Sequence, residues 1–319
     1  MKMMKALTVL LVAATMACGA QAQNWPTKPV RLVVSFPAGA PGDTIARLIQ
    51  PQLLQALGQP VIVDNKPGAG GNIGAQEVAR STDGHTFLVG PDTMLTINPH
   101  LYKKLSFKPT EDLVPLMYLA SFNQMLVCHP STGLKNLADL MARAQTQKMD
   151  YASGGPGVPG HMAMELLLSS ANLKMNHVPY RGPAPATQDV LAGQLPCGFL
   201  AAPVVGPHVK DGKLVAMAVS GARRSPASPN VPTVAEAGVR GFDATFFEIL
   251  AAPKGTPPEV MARLHKAVAN ALQQADVRNK LLANDLDPVV NTPAEAAARV
   301  KSDSEKWGRV VSQIGLQLD

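Results

Sequence analysis

The sequence predicts an α/β protein in two layers, and three observations carry the prediction. Short apolar, often β-branched runs alternate with stretches of helical spacing along most of the 319 residues. Several of those runs end in loops of small residues that lead into a helix. The middle of the chain repeats this device, and the end returns to strand and helix as if to complete the first layer. A hydrophobic content of 46% is ample for the cores of two lobes.

The first element is Val30 to Phe36, too short and too β-branched for a helix. Pro37-Ala38-Gly39-Ala40-Pro41-Gly42 follows as a loop, and Asp43 is a suitable N-cap for a helix over Thr44 to Leu57. A helix N-terminus at the carboxyl end of a strand offers free N–H groups to an anion. The plainer reading is an ordinary strand-to-helix turn. Gly58 ends the helix and Val61-Ile62-Val63 is a second strand. The glycine loop Asn65 to Gly74 lacks the spacing of a dinucleotide fingerprint and the lysine of a P-loop, so it is read as a second tight turn before a helix near Ala75 to Arg80. Thr86 to Gly90 is a third strand, ending in Pro91-Asp92-Thr93. Alternation of this kind implies a parallel layer with its loops clustered at the carboxyl ends of the strands.

The middle opens with two apolar runs, Leu116 to Leu119 and Met125 to Cys128, and a helix over Leu137 to Ala144. Tyr151 to His161 repeats the opening device and leads into a helix from about His161 to Ser170. His177 to Gly182 is strand and turn, Ala184 to Leu191 helix, and Leu195 to Leu200 and Leu214 to Val219 are strands. The last part holds a strand over Phe246 to Ala251 and an amphipathic helix over Glu259 to Gln274. Thr292-Pro293-Ala294-Glu295 then reads as a capping box opening a final helix to about Ser312.

The N-terminus reads as an export signal over residues 1–22. Lys2 and Lys5 precede the apolar run Ala6 to Ala17, and Ala20-Gln21-Ala22 is a small-x-small site with cleavage after Ala22. Cys18 raises a lipoprotein reading, but Thr15-Met16-Ala17 lacks the expected upstream leucine. The mature chain keeps Cys128 and Cys197, which in an exported protein could pair or could remain two buried thiols. The net charge of +6 is scattered, with no basic run and no aromatic interleaving, which argues against nucleic-acid binding. The seven histidines show no metal spacing, no serine sits in a G-x-S-x-G elbow, and neither cysteine has an evident base. No enzyme, cofactor or metal is therefore expected.

The chain resembles the substrate-binding proteins of tripartite tricarboxylate transporters, the Bug family. The resemblance rests on Trp25 to Arg31, on Phe36-Pro37-Ala38-Gly39 with Asp43, and on Asn65 to Gly71. It continues through Asp83-Gly84, Ser153 to His161, His177 to Gly182, Gly193-Gln194, Val231-Pro232-Thr233 and Ala252 to Pro257. It implies a two-lobed periplasmic binding protein of type II, with two chain crossings between the lobes. Residues 23–120 and 249–319 would form lobe 1 and residues 121–248 lobe 2, with the ligand cleft between. It also implies a monomer that captures a small organic acid in the periplasm and delivers it to inner-membrane transporter subunits. Presentation of the ligand to a membrane sensor is the alternative role.

Together these readings place the ligand among Phe36, Pro37, Ala38, Gly39, Ala40 and Asp43; Pro91, Asp92 and Thr93; Gly155, Gly157, Val158 and His161; Arg181 and Gly182; and Ala201 and Ala202. Asp43 is expected to organise its loop more than to touch the ligand. His161 reads equally as a loop-bonded residue or a contact, and Arg181 as a solvent-facing residue or a carboxylate partner. Asp92 is the odd member, since its charge would repel an acid. Two departures from the family pattern bear on the ligand. Val158 replaces a common Ser or Thr, and no acid follows in Phe199 to Pro203, where amine-binding relatives carry one. A di- or aromatic carboxylate is therefore favoured over an amino acid, against a wall of Val158, Leu200, Ala201 and Ala202.

Overall fold

A computed structural model describes residues 25–318. The export signal, its cleavage site and Cys18 lie outside the described residues. In chain order the main elements are β1 (Val30–Val34), α1 (Pro41–Leu57), β2 (Val61–Asn65), α2 (Asn72–Ala79), β3 (Thr86–Pro91), β4 (Leu113–Phe122), β5 (Gln124–Cys128), α3 (Leu137–Thr146), β6 (Asp150–Ser153) and α4 (Pro159–Ala171). Then come β7 (Asn176–Pro179), α5 (Pro183–Leu191), β8 (Cys197–Ala201), α6 (Ala202–Lys210), β9 (Val215–Val219), β10 (Phe246–Pro253), α7 (Pro258–Gln273), α8 (Ala275–Ala283), β11 (Leu286–Pro288) and α9 (Pro293–Ile314).

The strands form two sheets, one per lobe, ordered β11-β4-β10-β3-β1-β2 and β7-β6-β8-β5-β9. The chain passes from the first sheet to the second at Asn123, between β4 and β5, and returns between β9 and β10. β1 pairs in parallel with β2 and β3, so the carboxyl ends of the three strands open on one side. The layer is mixed rather than purely parallel, because the returning β10 runs antiparallel between β3 and β4. The second sheet repeats the arrangement, with β6 parallel to β7 and β8 and β5 antiparallel to β8 and β9.

Side-chain alternation divides the first lobe into two cores. Val30, Leu32 and Val34 pack with Ile45, Ile49 and Leu53 of α1 beneath one face of the sheet. Val33, Leu88 and Ile249 pack with Ala296 and Val300 of α9 on the other. Along β10, Phe246 and Leu250 share the α1 side, and this parity fixes the direction of Glu248 between them. Trp307, farther along α9 than Ala296 and Val300, belongs instead to the first core, where it is fully buried and stacks on Phe246. Cys128 and Cys197 face each other in the β5–β8 register and are disulfide-bonded, their Cα atoms 4.0 Å apart.

Helix α1 begins at Pro41, with Ala40 as N-cap, rather than at Thr44. Proline at the first helical position loses no hydrogen bond and brings a preset φ, so it starts the helix instead of blocking it. Asp43 consequently sits inside the first turn. The φ of Ala40 is −71°, so the alanine is unstrained at the N-cap. Helix α6 is an element the sequence does not announce, since Pro203, Gly206 and Pro207 give the stretch the look of a loop.

Candidate functional site

Four helices start at one cavity between the lobes. Its lining includes Ala40, Pro41 and Gly42 at the start of α1, Val158, Pro159 and Gly160 at the start of α4, Pro183 of α5, and Ala201, the N-cap of α6. Each of the four has proline in its first two positions, and none receives a side-chain cap. Two helices elsewhere do: Asn136 caps α3, and Thr292 with Glu295 forms the expected capping box on α9. Helices α2, α7 and α8 share the lack of a cap but start away from the cavity. First-turn N–H groups without partners inside their helix therefore collect around the cavity, each helix end carrying about half a positive charge. The rest of the lining is mostly apolar, with Val34, Phe36, Phe122 and Leu200, and it contains no lysine, arginine or histidine. The cavity measures about 40 Å³, room for a few waters. Gln124 and Glu248 are the polar side chains on its wall.

The lobes touch at the rim. A side chain begun at Gly182 would lie 2.9 Å from Cγ of Pro37, on the opposite lobe. One begun at Gly157 would lie 2.6 Å from Leu101 and 3.3 Å from Asn98. Glycine at these two places lets lobe 2 close on lobe 1. Gly160 has a different role: a Cβ there would meet the carbonyl oxygen of Phe199 at 2.0 Å, so its absence lets α4 start directly against β8.

The expected site residues fall into three groups. Phe36, Ala40, Pro91, Val158 and Ala201 line the cavity, as does Leu200 of the expected apolar wall. A second group shapes the loops around it. The buried carboxylate of Asp43 accepts from the Gly39 N–H at 3.0 Å, from Asn65 Nδ2 at 3.0 Å and from Arg47 Nε at 3.0 Å. Burial pushes this carboxyl up, but those bonds outweigh it and hold it below its ordinary value. His161 Nδ1 accepts from the Gly157 N–H at 3.0 Å and so pins the second glycine loop. Its ring stacks on His177 at 4.0 Å, and burial, with His177 beside it, lowers its pKa to about 3, which leaves it neutral. Pro37, Gly155, Gly157, Gly182 and Ala202 belong to the same framework, while Ala38 and Gly39 are exposed at the rim.

The third group lies elsewhere. Asp92 and Thr93 do not line the cavity. Asp92 pairs with the backbone of Phe247, the N–H of Asp92 donating at 2.8 Å, and its charge interacts with Asp303 and Arg299 of α9 behind the sheet. Burial and the neighbouring Asp303 raise its pKa to about 8. The end of a strand fixes which loop a residue joins, not which face it takes, and here the face is the one away from the cleft. Arg181 is exposed and leaves the rim contact to Gly182. The residue the sequence reading passed over is Glu248. It is 2% exposed, sits on the cavity wall beside Gly42 and has no partner for Oε2. A single acid within an otherwise apolar strand was the available signal.

Residues 45–316 match the model of the tripartite tricarboxylate transporter family receptor. The chain belongs to this family. It is 32% identical to Protein BugT of Bordetella pertussis over 99% of this chain and 98% of that one. Among solved structures, MatC from Rhodopseudomonas palustris with bound malate is 32% identical, with a TM-score of 0.85 over 90% of this chain and all of that one. An R. palustris protein with adipate is 30% identical, with a TM-score of 0.87 over 92% of this chain and 99% of that one. The family is one of periplasmic solute-binding receptors, not enzymes, and this receptor has its two-lobed α/β fold.

Proposed function

We propose that this receptor captures a small organic carboxylate between its lobes and hands it to the membrane subunits of a tripartite tricarboxylate-type transporter. The observation that carries the reading is the convergence of four helix N-termini without side-chain caps on a cavity whose lining holds no cationic side chain. Main-chain N–H groups at helix ends bind carboxylates well, and α1 belongs to one lobe while α4, α5 and α6 belong to the other. An acid held by both sides favours closure by its differential affinity for the closed state. The closed cavity is narrow, so the guest enters while the lobes are apart, hinging at Asn123 and the β9–β10 connection. The apolar wall of Val34, Phe36, Phe122, Val158 and Leu200 suits the carbon body of a dicarboxylate or aromatic acid. Relatives with bound malate and adipate support the ligand class.

A thermal-shift screen of the mature chain tests this. Di- and tricarboxylates, aromatic acids, amino acids and the neutral amides of each acid are compared. At a hundredfold excess over Kd a bound acid adds about 2.7 kcal/mol to folding stability, a shift of several degrees. The expected result is stabilisation by an acid and none by its amide. Stabilisation by amines or sugars alone would overturn the reading.

A further inference from the structure

We propose that Glu248 reads the ligand: held as a neutral carboxyl group on the cavity wall, it donates its O–H to a carboxylate oxygen of the guest. The inference rests on the carboxylate reading above and adds to it the side chain that gives this receptor its selectivity.

The argument starts from strand parity. Glu248 lies between Phe246 and Leu250 on β10, opposite Pro91 of β3 and Ala120 of β4, and points with them toward α1. At that level of the sheet α1 begins, so the carboxyl group meets the cavity instead of a packed helix. A Cβ at Gly42 would lie 2.7 Å from Oε2, which shows how closely the helix end and the acid approach. Yet Glu248 receives no hydrogen bond from that helix, and Oε2 is buried without a partner. A buried polar atom left unpaired costs about 1–3 kcal/mol. Its free side is the cavity, where a guest would be.

The charged groups around it decide which form it takes. Just past the end of β3, Asp92 is a second acid whose charge, where ionised, repels it. On α1, Asp43 is turned away and bonded to Arg47. On α9, Arg299 is committed to Asp303. On α4, His161 is neutral and bonded to its own loop. Across the cavity, β5 presents the uncharged Gln124. No cation faces Glu248 among the described residues of the lining, so burial and then Asp92 push its pKa well above the ordinary value. The negative charge of a carboxylate guest favours the protonated form further. An O–H···O⁻ bond in an apolar cavity is strong and short. The guest consequently binds with Glu248 protonated, and affinity falls by up to tenfold per pH unit once the pH exceeds the pKa of Glu248 in the empty protein.

The test measures Kd by calorimetry for the wild type, Glu248→Gln and Glu248→Leu, from about pH 6 to about pH 9, with melting curves for all three. The probes are malate, adipate, benzoate and aspartate. For the acid that binds the wild type, Glu248→Gln keeps a donor and should stay within about threefold at pH 6, and should lack any decline the wild type shows at high pH. Glu248→Leu should bind about 10- to 100-fold more weakly, yet melt no lower, because the unpaired acid is gone. Equal loss in both variants or no loss in either would overturn the proposal while leaving carboxylate binding intact. So would preferred binding of aspartate that Glu248→Gln abolishes, since Glu248 would then be an ionised partner for an ammonium group. If no acid binds the wild type at any pH, the carboxylate reading fails and the inference falls with it.

Discussion

Pro37 of lobe 1 covers Gly182 of lobe 2, so closely that a methyl group on the glycine would lie 2.9 Å from the proline ring. The contact spans the cleft and exists only when the lobes are together. Gly182→Ala should therefore weaken ligand binding by about tenfold or more, by raising the energy of the closed state. Gly182 has a φ of +115°, so the alanine also strains the backbone in both states. Gly212→Ala is the control. Its φ is +69° and nothing lies within 4 Å of its added methyl, so it carries backbone strain without the cross-cleft clash. Comparison of Kd and small-angle scattering for the two variants isolates closure. Equal effects would show that closure does not depend on the rim contact.

Gly42→Ala tests the cavity wall from the opposite side. The new methyl overlaps Oε2 of Glu248, the end of a flexible side chain, so the carboxyl group should swing aside without unfolding the helix. Alanine gains up to about 1 kcal/mol of helix propensity, which offsets part of the crowding. The expected outcome is a melting temperature within a few degrees of wild type and a Kd raised about tenfold. Calorimetry and a melting curve on the same sample check both halves.

Removal of the Cys128–Cys197 disulfide should cost about 2–4 kcal/mol, since the bond closes a long loop across the second lobe. The double variant to serine, or the wild type under reductant, should melt correspondingly earlier. Ligand affinity below the transition should change little, because neither cysteine lines the cavity. A loss of affinity at temperatures where the variant stays folded would contradict this.

The paired histidines make the second lobe acid-sensitive. The pKa of His161 lies at about 3 and that of His177 at about 4, both lowered first by burial. The unfolded chain protonates them near the ordinary value of about 6.5, so it binds more protons than the folded one below that pH. Stability from these groups is fully present above about pH 6.5 and is lost as pH falls toward 4 and 3. Asp92 acts in the opposite direction. Its folded pKa of about 8 keeps a proton the unfolded chain releases near 4, so its contribution shrinks as pH rises between those values. The clean measurement is therefore a difference. His161→Gln, which keeps an acceptor for the Gly157 N–H, should show a shallower loss of denaturant stability between about pH 6.5 and 4 than wild type. Parallel pH profiles would exclude His161 as a source of the acid sensitivity.

Much of this architecture is legible in the sequence because it is local. The runs from Val30, Thr86 and Met125 are apolar and β-branched enough to be strands, and Thr292 with Glu295 states a helix start without ambiguity. Errors arise where two local signals compete. Asp43 is a good N-cap, but Pro41 two residues earlier is a better first helical residue, and the helix obeys the proline. Other features depend on long-range register. Cys128 meets Cys197 only because β5 and β8 are neighbours, and Asp92 leaves the cleft only because its strand end turns toward α9. Glu248 was hidden by its company, one acid in an apolar strand whose partners at that level, Pro91 and Ala120, lie 157 and 128 residues away.

The four helix ends without side-chain caps give the guest a structural part to play. On the carboxylate reading proposed above, a guest in the cavity would serve as a shared cap, completing secondary structure that the chain leaves unfinished on both sides of the cleft. Because those partners are main-chain groups, replacement of side chains would leave such a cap in place. Under the proposal for Glu248, a change of wall residue would alter which acid is chosen without rebuilding the means of holding it.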